Sequence, residues 1–169
     1  MPLSAQEISP GLWQGKWPPP GKWLAERGFA TLVLCAAEFQ PPNIVPLQVA
    51  SLFQGTATPY PGVEILYAPN DDDFDNPPPR DTLRLAVQAA RTVADRLSQR
   101  RKVLVTCWQG KNRSGLVSAL SLHLAYGLSG EEATRIVQNR REKGLRNPQF
   151  CELLRHLPRK STAPHASVY

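Results

Sequence analysis

The sequence predicts an α/β domain with a central, mostly parallel sheet flanked by helices. Three observations carry that expectation. Apolar stretches suited to strands alternate along the chain with apolar positions spaced three to four apart. The run "VLVT" at 103–106 is unbroken and short, the pattern of a strand covered on both faces. A chain of 169 residues, 41% of them hydrophobic, can bury one sizeable core without staples. One domain over 1–158 is expected, followed by a flexible tail at 159–169 that has little to bury.

The elements follow in order. "LWQGKW" and "ATLVLCA" read as strands separated by a short helix over Lys22–Arg27. "VEILYAP" is the next strand, and it opens into the acidic, proline-rich loop "NDDDFDNPPP". From Asp81, a candidate N-cap, Leu83, Val87, Ala90, Ala94 and Leu97 mark one helix face, with Arg91, Arg96 and Gln99 on the other. The basic run Arg100–Lys102 suits the C-terminal end of that dipole. After the strand at 103–106 and a glycine-bearing loop, Leu116–Tyr126 reads as a buried helix that stops near Gly127. Ser129 and Glu132 fit a capping box for a helix running to about Lys143, and "NPQFCELLRHL" supplies a last short helix.

Composition narrows the setting. The 17 prolines gather in "WPPPG", "QPPNIVP", "TPYPG" and "NPPPRD", which predicts stiff, extended connections. Three cysteines without a signal peptide argue against a disulfide framework and for a reducing cytoplasm. The longest apolar run, Leu116–Leu128, is too short to span a bilayer. A net charge of +6 favours anionic partners in general: phosphorylated protein, inositol phosphate, headgroups or nucleic acid.

The stretch "VLVTCWQGKNRSG" concentrates the chemistry. A loop between a strand end and a helix start aims backbone N–H groups at one spot, and the helix dipole adds to the field there. A dianionic phosphate suits such a cradle, and Arg113 can clamp two of its oxygens, more tightly as phosphorus becomes trigonal bipyramidal. The same field would stabilise Cys107 as a thiolate. Ser114 can donate a hydrogen bond to that sulfur, and Gly110 lets the backbone turn unobstructed. Such a pattern fits thiolate attack on phosphorus. A cysteine ending a buried strand is more often an inert hydrophobe. Yet with three cysteines, arginine and then serine or threonine six and seven positions on arise by chance about one time in fifty. Requiring the strand, glycine and helix as well makes coincidence rarer.

At these residues the chain resembles the cysteine-dependent protein tyrosine phosphatase superfamily, in particular its small dual-specificity branch. The family motif is H-C-x5-R-[S/T], and this chain reads T-C-WQGKN-R-S. "ISPGLWQG" is similar to the family's opening strand region, and "NRREKGLRNPQF" followed by "ELL" to its closing segment. The resemblance implies hydrolysis of phosphomonoesters through a cysteinyl-phosphate, with phosphotyrosine as substrate and phosphoserine and phosphothreonine as further candidates. On it, Cys107 is the nucleophile, Arg113 the clamp and Ser114 the leaving-group helper. Trp108, Gln109, Gly110, Lys111 and Asn112 form the rest of the substrate cradle. No cofactor and no metal are implied. Thr106 departs from the family histidine, which supports the loop and the thiolate, so weaker activity or a shifted pH optimum is expected.

The leaving oxygen needs a proton, which family members supply from an aspartate on a separate loop. Asp71 fits that place best, with Asp73 second and Asp72 a close competitor. Lys111 within C-x-x-G-K-x-R is similar to phosphatase-and-tensin-type lipid phosphatases, and "NRSG" to the RNA 5′-triphosphatase branch. Phosphoinositides and triphosphorylated RNA are therefore alternative substrates. A phosphate-binding pseudophosphatase is the rival that Thr106 suggests. Arg135, Arg140, Arg141, Lys143 and Arg146 could form a basic rim, or a solvated helix face. Cys35 lies in a stretch similar to one in the lipid-phosphatase branch, where the cysteine forms a reversible disulfide with the nucleophile; its default reading is an inert thiol. His123 reads as a satisfied interior residue, and His156 and His165 as peripheral. Low-molecular-weight phosphatases carry their loop at the N-terminus, and rhodanese-like enzymes lack the acidic loop.

Overall fold

The computed structural model describes residues 3–37 and 59–160. "QPPNIVP", His165 and residues 161–169 of the expected tail lie outside the described residues. The elements run β1 (Ala5–Ser9), β2 (Leu12–Lys16), α1 (Trp23–Glu26), β3 (Phe29–Ala36), β4 (Glu64–Asn70), α2 (Arg80–Ser98), β5 (Lys102–Cys107), α3 (Asn112–Tyr126), α4 (Gly130–Arg140) and α5 (Pro148–Arg155). The sheet order is β1-β2-β5-β3-β4, with β1 antiparallel and the other pairings parallel.

The apolar run at 103–106 thus becomes the central strand, paired on both sides. Side-chain alternation divides the core between the two faces of the sheet. Val33, Cys35, Val103, Val105 and Cys107 face α2 to α5. Leu32, Leu34 and Leu104 join Phe29, Tyr60, Tyr67 and Leu24 of α1 on the other face. Helix α3 is buried from Asn112 to His123 except at Arg113, as a helix packed against α2, α4 and β5 must be. It stops where Gly127 takes a φ of 69°, a left-handed C-cap. His123 is satisfied inside, its Nδ1 lying 2.6 Å from the Leu128 carbonyl oxygen.

Several expectations need correction. Asp81 is not the N-cap of α2: Pro79, extended at φ −54° and ψ 149°, occupies that position, and Asp81 sits in the first turn near Arg84. The consecutive prolines hold the chain extended up to the helix, leaving the cap without a side-chain hydrogen bond. The buried face of α2 centres on Ala86, Ala89, Ala90 and Val93 rather than on the larger residues, because small side chains let α3 approach closely. Arg96 turns back onto Glu64 of β4 with two short hydrogen bonds, 2.8 and 2.7 Å. Helix α3 begins at Asn112, a turn earlier than its apolar run. The capping box of Ser129 and Glu132 is formed as expected, but α4 ends at Arg140. Arg141 becomes extended there, and Lys143 and Leu145 follow at φ 56° and 52°. At the start of the expected tail, the Arg159 guanidinium pairs with Glu132, and the Lys160 N–H donates to the Gly127 carbonyl.

Candidate active site

β5 ends at Cys107 and α3 begins at Asn112, so the intervening loop lies at the carboxyl edge of a parallel sheet. That edge is where open α/β sheets bind ligands. Cys107 is buried, and its Sγ lies 3.3 Å from the Ser114 hydroxyl. Arg113 is half-buried, and one of its guanidinium nitrogens donates to the Asn70 carbonyl at 3.4 Å. A cavity of about 260 Å³ opens over the thiol. Cys107, Arg113, Trp108 and Lys111 line one side of it, Asp72 and Phe74 the other.

The loop is held by groups remote in sequence. Gly110 has a φ of +66°, and a Cβ there would lie 2.2 Å from the Gly15 carbonyl carbon. Only glycine combines that backbone with that approach. Gln14, wholly buried on β2, donates from Nε2 to the carbonyls of Gly110 (3.2 Å) and Lys111 (3.1 Å). Arg141 donates to the carbonyls of Gly110 (3.0 Å) and Gln109 (3.3 Å). Burial pulls its guanidinium down from the ordinary value, and negative charge on Cys107 opposes that pull. Arg141 is therefore a brace under the loop rather than part of a solvated rim.

Thr106 does not take part in this bracing. Its hydroxyl, fully buried, donates to the Val33 carbonyl at 2.9 Å and ties β5 to β3. Support that the resemblance assigns to a histidine before the cysteine comes here from Gln14 and Arg141. A sequence signal for Gln14 exists: it falls between apolar positions on a strand, where an amide must find buried partners. Arg141 carried none beyond its charge.

The three aspartates have three environments. Asp71 is exposed, and among the described residues its carboxyl has no hydrogen-bond partner. Asp73 accepts at Oδ1 from the backbone N–H groups of Asp75 and Asn76 and at Oδ2 from the Asn76 amide. These bonds, the Asn76 amide foremost, hold its carboxyl below the usual range. Asp72, which lines the thiol cavity, accepts from Asn112 Nδ2 at 2.9 Å and from Asn147 Nδ2 at 2.8 Å. Asn112 Oδ1 accepts from the backbone N–H groups of Arg146 and Asn147. Asn147, wholly buried, also caps α5 through Oδ1. Two asparagines thereby knit together the Cys107–Arg113 loop, the aspartate loop and the α4–α5 connection.

Cys35 lies one residue beyond the Leu34–Thr106 pairing, so it neighbours Cys107 across adjacent strands on the same sheet face. Burial first, and then charge on Cys107, push the Cys35 thiol well above its ordinary value. Cys151 is half-buried and its thiol donates to the Leu145 carbonyl.

A five-stranded mixed sheet with flanking helices and this strand–loop–helix site is the dual-specificity phosphatase fold, and solved structures of that fold match nearly the whole chain. Human DUSP28 is 22% identical with a TM-score of 0.67, over 91% of this chain and 92% of that one. Tk-PTP in the active form is 24% identical with a TM-score of 0.63, over 91% and 95%. A human tyrosine phosphatase-like serine/threonine/tyrosine-interacting protein is 20% identical with a TM-score of 0.63, over 89% and 92%. No family model and no curated protein matches the sequence.

Proposed function

We propose that the protein is a cysteine-dependent phosphatase hydrolysing phosphomonoesters, with phosphotyrosine as the primary substrate. One observation carries the reading: a buried thiol and Arg113 line one cavity at the carboxyl edge of the sheet, with the Ser114 hydroxyl buried 3.3 Å from the sulfur. Arg113 and the N–H groups at the start of α3 bind the phosphoryl oxygens. The Cys107 thiolate attacks phosphorus in line, the P–O bond to the leaving group breaks, and the leaving oxygen takes a proton from the aspartate loop. Water then attacks the cysteinyl-phosphate, Ser114 donates to the departing sulfur, and inorganic phosphate leaves.

Spacing ranks Asp71 first as the acid; geometry moves the choice to Asp72, which lines the cavity. The asparagine amides occupy one site on each of its oxygens, and a carboxyl group has room for a proton beside them. Three free thiols fit a reducing cytoplasm, and among the described residues no helix is long and apolar enough to cross a membrane.

A second reading rests on Thr106, whose hydroxyl is committed to β3. Without a histidine under the loop, the cradle would bind phosphate and turn over poorly. Metal-free hydrolysis of an aryl phosphate from pH 5 to 8 separates the two. The expected result is turnover by wild type, none by Cys107→Ser, and a loss of about 10²-fold or more for Asp72→Asn, with Asp71→Asn much closer to wild type. A reversed order for the two aspartates would restore Asp71. Vanadate binding without turnover in wild type would establish the recognition module instead.

A further inference from the structure

Gln14 is wholly buried on β2, a strand paired on one edge with β1 and on the other with β5. The two ends of its amide are used unevenly. Nε2 donates to two successive carbonyls, Gly110 at 3.2 Å and Lys111 at 3.1 Å. Oε1 is buried and has no hydrogen-bond partner among the described residues. Neither carbonyl depends on the amide. Gly110 also accepts from Arg141 Nε at 3.0 Å, and Lys111 from the Leu145 N–H at 3.2 Å. Removing the amide would therefore orphan neither carbonyl and would relieve one unpartnered acceptor. An apolar side chain would serve the core at least as well, so stability does not account for a glutamine at this place.

Position does. Gln14 pairs in register with Val105 and Lys16 with Cys107, and the Trp17 N–H donates to the Cys107 carbonyl at 3.0 Å. One strand thus holds both the backbone of Cys107 and, through Gln14, the loop that follows it. Arg141 and Leu145 hold the same loop from the irregular chain after α4, outside the sheet. In a planar trans peptide the carbonyl and the N–H point opposite ways. Drawing the Gly110 and Lys111 carbonyls toward β2 turns the Lys111 and Asn112 N–H groups away from it, and those two residues line the thiol cavity. Resting on the phosphatase reading above, we propose that Gln14 is a positioning residue that aligns these two N–H groups with the in-plane oxygens of the reacting phosphoryl group. Such alignment matters most as phosphorus becomes trigonal bipyramidal, so its loss falls on the transition state more than on bound substrate.

Gln14→Met removes the amide and keeps an unbranched side chain of similar volume. Tm should stay within about 2 °C of wild type or rise. On an aryl phosphate, kcat should fall about tenfold with KM changed less than about twofold. Vanadate, which mimics the five-coordinate state, should bind about tenfold more weakly, and inorganic phosphate should lose less than about twofold. If Gln14→Met does not fold, Gln14→Leu carries the same test. A Tm lowered by more than about 5 °C in both variants makes Gln14 a core residue and overturns the proposal. Unchanged kcat and vanadate affinity, or equal losses for vanadate and phosphate, overturn it as well. Should wild type hydrolyse nothing, the phosphatase reading fails alone, because the ratio of vanadate to phosphate affinity in wild type and Gln14→Met still decides whether Gln14 aligns the loop. Binding of neither anion by wild type overturns both.

Discussion

The Cys107–Arg113 loop and the aspartate loop line a single cavity, yet they are built on opposite plans. The first is flanked by a buried strand and a buried helix, and its carbonyls are held by Gln14 and Arg141. The second is exposed from Asp71 to Pro77 and is anchored at Asp72 and Asp73 by asparagine amides. On the proposed phosphatase reading, a nucleophile and a phosphate clamp need fixed geometry, and burial supplies it. A proton donor needs exchange with water, and exposure supplies that.

The comparison breaks most visibly at Gly110. Alanine there combines a left-handed backbone with a contact no neighbour can relieve, since the 2.2 Å approach is to Gly15 backbone. Gly110→Ala should cost about 3 kcal/mol or more, lower Tm by roughly 10 °C and abolish vanadate binding. Asn147→Ala sharpens the contrast from the other side, because it removes the α5 cap and one hold on Asp72. It should cost about 1–2 kcal/mol and lower kcat about tenfold while leaving vanadate affinity near wild type, as read by titration and steady-state kinetics.

A smaller effect concerns β4, the strand that carries the aspartate loop. Hydrogen bonds from Arg96 hold the Glu64 carboxyl below its usual value. The folded carboxyl is depressed, so this contribution is complete above the ordinary carboxylate range and is lost as pH falls through the folded value. The Tm of wild type should therefore drop more steeply from pH 6 to pH 3 than that of Glu64→Gln. Least of all should be Thr106→Val. Losing the bond to Val33 costs about 1 kcal/mol, and kcat should change less than threefold, because the hydroxyl braces two strands and not the loop.

Much of this was legible in the sequence. Cys107, Arg113 and Ser114 stand close together between a strand and a helix, so local spacing alone brings Arg113 to the cavity over the thiol and Ser114 to the sulfur. Most of the elements were legible too, through periodicity, the capping box at Ser129 and the stop at Gly127, but β1, only partly buried and mostly polar, was not. What spacing does not carry is the support. Gln14, Arg141 and Asn147 meet the loop only because β2 pairs with β5 and because the chain turns back after α4. That two distant asparagines hold the Asp72 carboxyl is likewise beyond the reach of spacing. The missed cap at Asp81 has a local cause: prolines ordered the chain up to the helix without needing a side-chain acceptor.

The central strand is hydrogen-bonded along both edges, to β2 and to β3. Amide hydrogens from Val103 to Cys107 should therefore exchange with solvent only through global opening, while those around Asp75 exchange through local fluctuation. The two halves of the chemistry would then fail in a fixed order on warming. The donor loop loosens first, and the thiol remains in place. On the proposed mechanism, such a partly opened molecule would release one equivalent of product from an ester with a good leaving group and then stall as the cysteinyl-phosphate. Heat damage would show itself as a burst without turnover.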